Sequence, residues 1–558
     1  MQKKQTILVV ASLLVVVLSV TLAYFTAQII GKGKNVTINS ADLKIIFTDS
    51  DGSISGTNIE PGKWNVTKTF TIENKSNETY KYNIVIQDLV NTFVTEGYLQ
   101  YKITSTNGGY NMTEFKDVPK SETATDKILA YSVSIPVGVT QSYTVEFIYK
   151  NDESVDQSDD MGKTLSGKLF ITEGTEGPVI LLSQILKDNP TRSARSNNNN
   201  GKNDFATPLT TTTTGTLFTS TESIVGNTPK DVYYFAGDAK NNWVKFGKYQ
   251  NDLIRYRGYY NSTTTTDYHE YSTMDECTSA SSYNINCTEY KYANTGDDIY
   301  WRIIRTNHDG SIRLLYVGTS HDTTTGNIGT STFNTNSNSP KYVGYKYGEA
   351  TSYDTIRNNT TDSTIKAFID SWYQNNLTDY TKYLSTSAVY CNDRNEGTDQ
   401  TYSVSSSFNF ASYYRMDDAT KGAKANPSYN CTDIRDAFSV DNTSAKLDYP
   451  VSLMTADEIA FAGGVSLQKM NTPYAWFISN SAGTQVSTGW WSLSPSYWGF
   501  GYAGVCGWSS GRASLFNNGV GSTNAVRPAI SLKSCIKYST GDGSATNPYT
   551  ILETDTGC

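Results

Sequence analysis

No cysteine precedes Cys277 and no histidine precedes His269 in this chain of 558 residues. The three histidines (His269, His308, His321) make no HExxH, and none of the seven cysteines sits in a CxxC pair. A zinc peptidase is thereby excluded on ligands, and structural zinc is disfavoured. Charge is also scarce, at 18% of residues with a net −8. No global basic field exists to hold nucleic acid or anionic lipid. Short cofactor-like strings fail on context. Gly499–Gly504 spells GxGxxG, but a helix must follow to meet a pyrophosphate, and Val505-Cys506-Gly507-Trp508 starts none. It reads as a glycine-rich loop. Gly507–Gly511 spells GxSxG, yet no histidine follows His321 to complete the hydrolase order. Asp49-Ser50-Asp51-Gly52 with Glu60 imitates a calcium loop, but Ile54 stands where the turn needs glycine. No catalytic residue, metal or cofactor is expected, and the chain does not read as an enzyme.

What is abundant is tyrosine, with 40 residues, among Thr, Ser, Asn and Gly. This composition suits strands, and it equally suits contact surfaces, because Tyr offers area at low entropic cost. Lys3 and Lys4 precede an uncharged, mainly apolar stretch ending near Gly31. Residues 1–31 therefore read as a signal peptide or an N-terminal membrane anchor. Thr21 and Ala23 suit a peptidase, while the apolar length approaches the ~20 residues that span a bilayer. Both readings stay open. The C-terminus carries no LPxTG-like motif, so any tether is expected at the N-terminus.

Residues 32–175 alternate with period two. One face carries Tyr80, Tyr82, Ile84 and Ile86, and another carries Tyr143, Val145, Phe147 and Tyr149. Short strands between Gly, Asn, Asp and Pro turns predict an all-β sandwich whose stability comes from its core alone. Residues 176–230 read as a short helix over Pro178–Asn189 and then a polar linker, through Asn197–Asn200 and Thr210–Thr214. Residues 231–558 mix strands with helices. Ile299–Val317 predicts a hairpin turning at Asp309-Gly310. Ser363 is the expected N-cap for a helix with Ile365, Phe368, Ile369, Trp372 and Leu377. Thr455-Ala456-Asp457-Glu458 is a capping box stopped by Gly463-Gly464.

Two resemblances follow. Ala23-Tyr24-Phe25-Thr26, the Glu60-Pro61-Gly62 turn and Thr69–Asn74 resemble the TasA and camelysin group, exported Ig-like sandwich proteins of Gram-positive bacteria. Tyr300–Arg305, Asp309–Leu314, Leu453–Glu458, Trp491–Pro495, Val526–Ile530 and Asn547-Pro548-Tyr549 resemble an uncharacterised bacterial surface family with a C-type-lectin-like fold, related to the formylglycine-generating enzyme. These imply a multidomain chain: an Ig-like stalk, a linker and an α+β lectin-like head. Disulfides in an oxidising compartment are expected for Cys277–Cys287, Cys391–Cys431 and Cys535–Cys558, leaving Cys506 over.

The strongest functional signal is aromatic. Five of the nine tryptophans fall between Trp476 and Trp508. Trp476 and Trp491 are expected in the core. Trp490, Tyr497, Trp498, Tyr502 and Trp508 are candidate ligand contacts, with Trp498, Tyr502 and Trp508 expected to be exposed. The whole reads as a cell-surface or secreted adhesion protein whose partner is an extracellular glycan or protein. It would meet the membrane through residues 1–31 if these are uncleaved, and it would not bind nucleic acid. The alternatives are a matrix or fibre component and an enzyme on the formylglycine-generating fold.

Overall fold

The computed structural model describes residues 36–37, 43–47, 53–56 and 59–558, apart from 96, 176, 196–204, 260–267, 281–285, 417–425, 487–488, 500 and 555–556. The expected signal or anchor helix lies outside these residues. No helix among the described residues is long and apolar enough to cross a membrane. The chain divides into two compact units, Met1–Gly177 and Pro178–Cys558.

The first unit holds ten strands: β1 (Val36–Thr37), β2 (Leu43–Phe47), β3 (Ser53–Gly56), β4 (Asn65–Asn74), β5 (Tyr80–Asn91), β6 (Leu99–Ser105), β7 (Lys116–Asp117), β8 (Ser121–Ile135), β9 (Thr140–Tyr149) and β10 (Leu165–Glu173). They form one sheet ordered β1-β2-β4-β9-β6-β7 and another ordered β3-β10-β5-β8. Inward residues of both sheets share a single core, including Phe70, Ile103, Val145 and Phe147 from one and Ile84, Ile86, Leu169 and Ile171 from the other. The period-two pattern is therefore the cause of the architecture, since it gives each strand one apolar face. On β9 the expected set Tyr143, Val145, Phe147 and Tyr149 is buried. On β5 the alternation breaks, because Asn83 and Val85 are buried as well. Its pairing with β8 is interrupted by several bulges, and Asp88 and Ser132 there take positive φ.

Without cysteine, polar groups fix the match between the sheets. The Tyr82 hydroxyl on β5 meets Gln141 Oε1 at 2.5 Å and the Tyr143 hydroxyl at 2.5 Å, both on β9. Asp160 accepts from the Tyr149 hydroxyl (2.8 Å) and from the Val94 and Thr95 amides (2.6 and 3.2 Å).

The second unit is mainly β with short helices. Its largest sheet has ten strands. At the centre, Asp298–Thr306 pairs antiparallel with Ile312–Gly318, which is the expected hairpin, with Gly310 at φ 79° in the turn. Both faces of this hairpin are buried. Arg302, Arg305 and Arg313 are consequently inside the protein. A second sheet contains the hairpin Trp490–Gly499 and Tyr502–Ser509. The GxGxxG string includes the end of the first strand and the start of the second, with Gly501 at φ 83° and Gly499 opposite Tyr502. A third, three-stranded sheet joins Tyr268–Tyr271, Leu253–Tyr259 and Cys287–Ala293. The Ser363-capped helix spans Thr364–Asn376, and the Thr455–Glu458 capping box starts a helix over Ala456–Phe461.

Disulfides join Cys277–Cys287, Cys391–Cys431 and Cys535–Cys558, and Cys506 is buried and takes no part in them.

One boundary needs correction. The segment expected to link the units belongs to the second one. Its helix, Leu181–Asp188, buries Leu181 and Ile185 in the main core. Thr191–Ala194 and Thr216–Glu222 pair in the ten-stranded sheet. Polar composition hid this, because a strand with one wet face needs few apolar residues to find a place in an existing sheet. Of this segment, residues 176 and 196–204 lie outside the described residues.

Replacing Tyr82 with Phe removes a hydroxyl shared by two buried partners. It should lower the stability of the first unit by about 1–3 kcal/mol. The measurement is native-state hydrogen exchange of peptides from β4, β5 and β9, with peptides from the second unit unchanged.

Candidate functional site

Of the three rings expected to be exposed, Tyr502 is and Trp498 and Trp508 are not. Trp490, Trp498 and Trp508 are 0%, 6% and 1% exposed. Trp490 lies opposite Trp508 across the hairpin, Trp508 packs edge-on against Phe477 at 5.0 Å, and Trp498 pairs across from Phe408. Trp476 and Trp491 are core as expected, with indole N–H groups donating to Phe235 O and Ser331 O at 2.8 and 2.9 Å. Almost every residue of Trp490–Gly499 is buried, so tryptophans on both faces of the strand are core. Only Tyr502, 41% exposed, and the half-buried Tyr497 reach the surface, with rings 5.8 Å apart. Adjacent Trp490 and Trp491 were the available signal, since neighbours on a strand face opposite ways and both faces had to be covered.

A concave site lies elsewhere in the second unit, where Leu253–Tyr259 faces the helix Thr364–Asn376. It is a cavity of about 270 Å³ lined by Asn251, Asp252, Leu253, Ile254, Arg255, Ser272, Ile328, Phe368, Ser371, Trp372, Asn375 and Asn376. Helical spacing presents Phe368, Ser371, Trp372, Asn375 and Asn376 on neighbouring turns. Arg255, Ile328, Trp372 and Asn376 are buried, whereas Asn251, Asp252, Ser371 and Asn375 are exposed. The Arg255 guanidinium lies 3.8 Å over the Tyr292 ring. Its Nη1 donates to Glu270 Oε2 at 3.3 Å and its Nη2 to Asn327 O, while Nε has no partner. Asn376 Nδ2 donates to Trp372 O at 2.9 Å, and Asn376 Oδ1 accepts from nothing. Asp252 is fully engaged, by Lys291 Nζ at 2.6 Å and by the Thr295 amide and hydroxyl at 2.8 and 3.1 Å. The Lys291 bond, with the Thr295 bonds, holds its pKa below the usual carboxylate value. These groups offer hydrogen bonds and apolar faces. None is a nucleophile with a base beside it.

Two other clusters carry chemistry-bearing groups. Asp362, Asp370 and Asp448 converge closely enough to suit a metal ion, but Lys366 Nζ sits among them at 3.2, 2.5 and 2.6 Å. Burial opposes the charge of this lysine, yet the three carboxylates outweigh it and raise its pKa. The ammonium is the cation of that cluster. His321 Nδ1 meets Ser481 Oγ at 2.8 Å, a pair that the order of motifs in the sequence gave no reason to seek. The neighbouring carboxylate of Asp322 is bonded to Ser320 Oγ, and the Ser481 amide donates to His321 O at 2.9 Å. That geometry is a tether between two turns.

The most heavily charged interior lies around Glu222. Arg305 Nη2 reaches Glu222 Oε1 at 2.9 Å and Arg305 Nε reaches Glu458 Oε1 at 2.8 Å. Arg313 Nη1 meets the same Glu458 oxygen at 2.6 Å. A polar cavity of about 20 Å³ among these groups has room for one water and no more. Burial pushes the Glu222 carboxyl upward, but Arg305, His308 and Arg313 more than offset this and hold its pKa at about 2.

Trp508→Ala and Trp498→Ala should each cost about 3–5 kcal/mol, as large core truncations do. Thermal melts decide this, and unchanged melting would return both rings to the surface. The depressed Glu222 pKa gives a pH dependence of known sign. The unfolded chain binds this proton near pH 4.5 and the folded chain only near pH 2. The stabilisation is therefore complete above pH 4.5 and lost as pH falls towards 2, by about 3 kcal/mol for this group. Glu222→Gln should be destabilised at pH 7 by about 3–5 kcal/mol, because it leaves Arg305 short of a partner, and its melting temperature should fall less steeply across that window.

No family model matches the chain, and no curated protein does. Among solved structures, the chain is similar at 11% identity to AvmM, which catalyses macrocyclisation in alchivemycin A biosynthesis, over 28% of this chain and 100% of that one, with a TM-score of 0.14. It is similar at 9% identity to a chain of the chaperone–tip adhesin complex of CFA/I fimbriae biogenesis, over 45% of this chain and 90% of that one, with a TM-score of 0.08.

Proposed function

We propose that the chain is an extracellular binding protein: an Ig-like module followed by a lectin-like head that recognises a ligand outside the cell. The observation that carries this reading is the open cavity of about 270 Å³ in the second unit, with buried polar groups beneath an exposed polar rim. Specificity in small-ligand sites comes from fixed polar groups set beside apolar faces, and here Leu253, Ile254, Ile328, Phe368 and Trp372 stand among seven polar residues. The three disulfides support an oxidising environment. The basic and then apolar N-terminal segment supports export, as a cleaved signal or a retained anchor. Against chemistry by a reactive cysteine pair, Cys535 is bridged to Cys558 and Cys506 is 3% exposed beside Asn517 Oδ1 at 3.5 Å.

The purified, oxidised full chain should give saturable binding on a printed array of glycans and extracellular-matrix proteins. Binding should be competed by soluble ligand and lost after reduction and alkylation of the second unit's disulfides. A chain that is folded by circular dichroism and captures nothing on such arrays would sink the reading.

A further inference from the structure

We propose that the cavity between Leu253–Tyr259 and the helix Thr364–Asn376 is a carbohydrate subsite that takes one neutral sugar ring; this rests on the binding function above and names its ligand class. Size is the first reason. At about 270 Å³ the cavity falls just below the ~300 Å³ at which sites for drug-sized molecules begin. It has room for a single small ring and not for a folded peptide turn.

Charge is the second reason. The cavity is lined by one cation and one anion, and each already has its counter-ion. Arg255 is held by Glu270, and Asp252 by Lys291 at 2.6 Å. An anionic ligand would have to compete with Glu270 for Arg255, and a cationic one with Lys291 for Asp252. A neutral ligand disturbs neither pair.

Wall chemistry is the third. Leu253, Ile254, Ile328, Phe368 and Trp372 offer the apolar surface that the C–H face of a sugar requires. Asn251, Ser371 and Asn375 at the rim carry amides and a hydroxyl, which both donate and accept, as sugar hydroxyls do. Arg255 and Asn376 complete the lining, the first held by Glu270 and Asn327 O and the second by Trp372 O.

The test uses the full-length chain and saturation-transfer NMR with methyl glycosides of glucose, galactose, mannose and N-acetylglucosamine. At least one should bind with millimolar affinity, as expected for a ligand of this size. Ser371→Tyr places a ring in the mouth and should abolish the signal. Asn375→Ala, an exposed position, should weaken it about tenfold. Gln374→Tyr, exposed on the same helix but outside the cavity, should leave it unchanged. Melting curves verify that each variant is folded. Undiminished binding by Ser371→Tyr and Asn375→Ala overturns the site. Absence of transfer to every glycoside overturns the ligand class, and continued capture of an array ligand by the same preparation would leave the binding function standing.

Discussion

The second unit depends on a buried group of two carboxylates and two guanidinium ions. Glu458 is the N3 residue of a capping box, and its Oε2 accepts the Thr455 amide at 2.9 Å. Its Oε1 takes both Arg305 and Arg313, and Arg305 passes on to Glu222. All four residues are at most 3% exposed. Taking such charges out of water costs several kcal/mol per ion, and the cost is offset only when every member is present and correctly oriented. The group therefore specifies how a strand at Thr216–Glu222, a central hairpin and a short helix fit together. An apolar contact would tolerate slippage that these bonds do not.

The same logic fixes the candidate site. Lys366 is fully buried among Asp362, Asp370 and Asp448, so the helix Thr364–Asn376 has one rotation about its axis that keeps this ammonium paired. That rotation turns Ile365, Ile369 and Tyr373 into the core and leaves Phe368, Ser371, Trp372 and Asn375 along the cavity. Arg255 on the facing strand is oriented by Glu270 and by the Tyr292 ring. Two ion-paired side chains thus set the two walls, which is the rigidity a binding site needs.

The units meet the cost of ordering a polar chain differently. The first relies on a shared apolar core with a tyrosine–glutamine cluster between its sheets. The second has long loops and adds crosslinks. Cys391–Cys431 closes a separation of 40 residues, worth about 4 kcal/mol in the chain-entropy account. Buried Arg357 and Arg394 converge on Asp436 beside that loop, at 3.1 and 2.6 Å.

By itself the sequence determined what local chemistry determines. Alternation in β9, the turn at Gly310 and the caps at Ser363 and Thr455 were legible, because each depends on residues near in sequence. The tertiary structure alone decided the rest. Whether Trp498 and Trp508 are contact rings or core depends on what covers the second face of their hairpin, and a strand's own residues do not record its neighbours. Thr216–Glu222 read as linker because only Leu217 and Phe218 in it are apolar, and its strand partners and the partners of its buried carboxylate lie outside the segment's own pattern, the latter 83 residues and more away. The cavity had no motif for the same reason. Its walls come from segments more than a hundred residues apart, and their side chains acquire a common purpose only when the buried ion pairs bring them face to face.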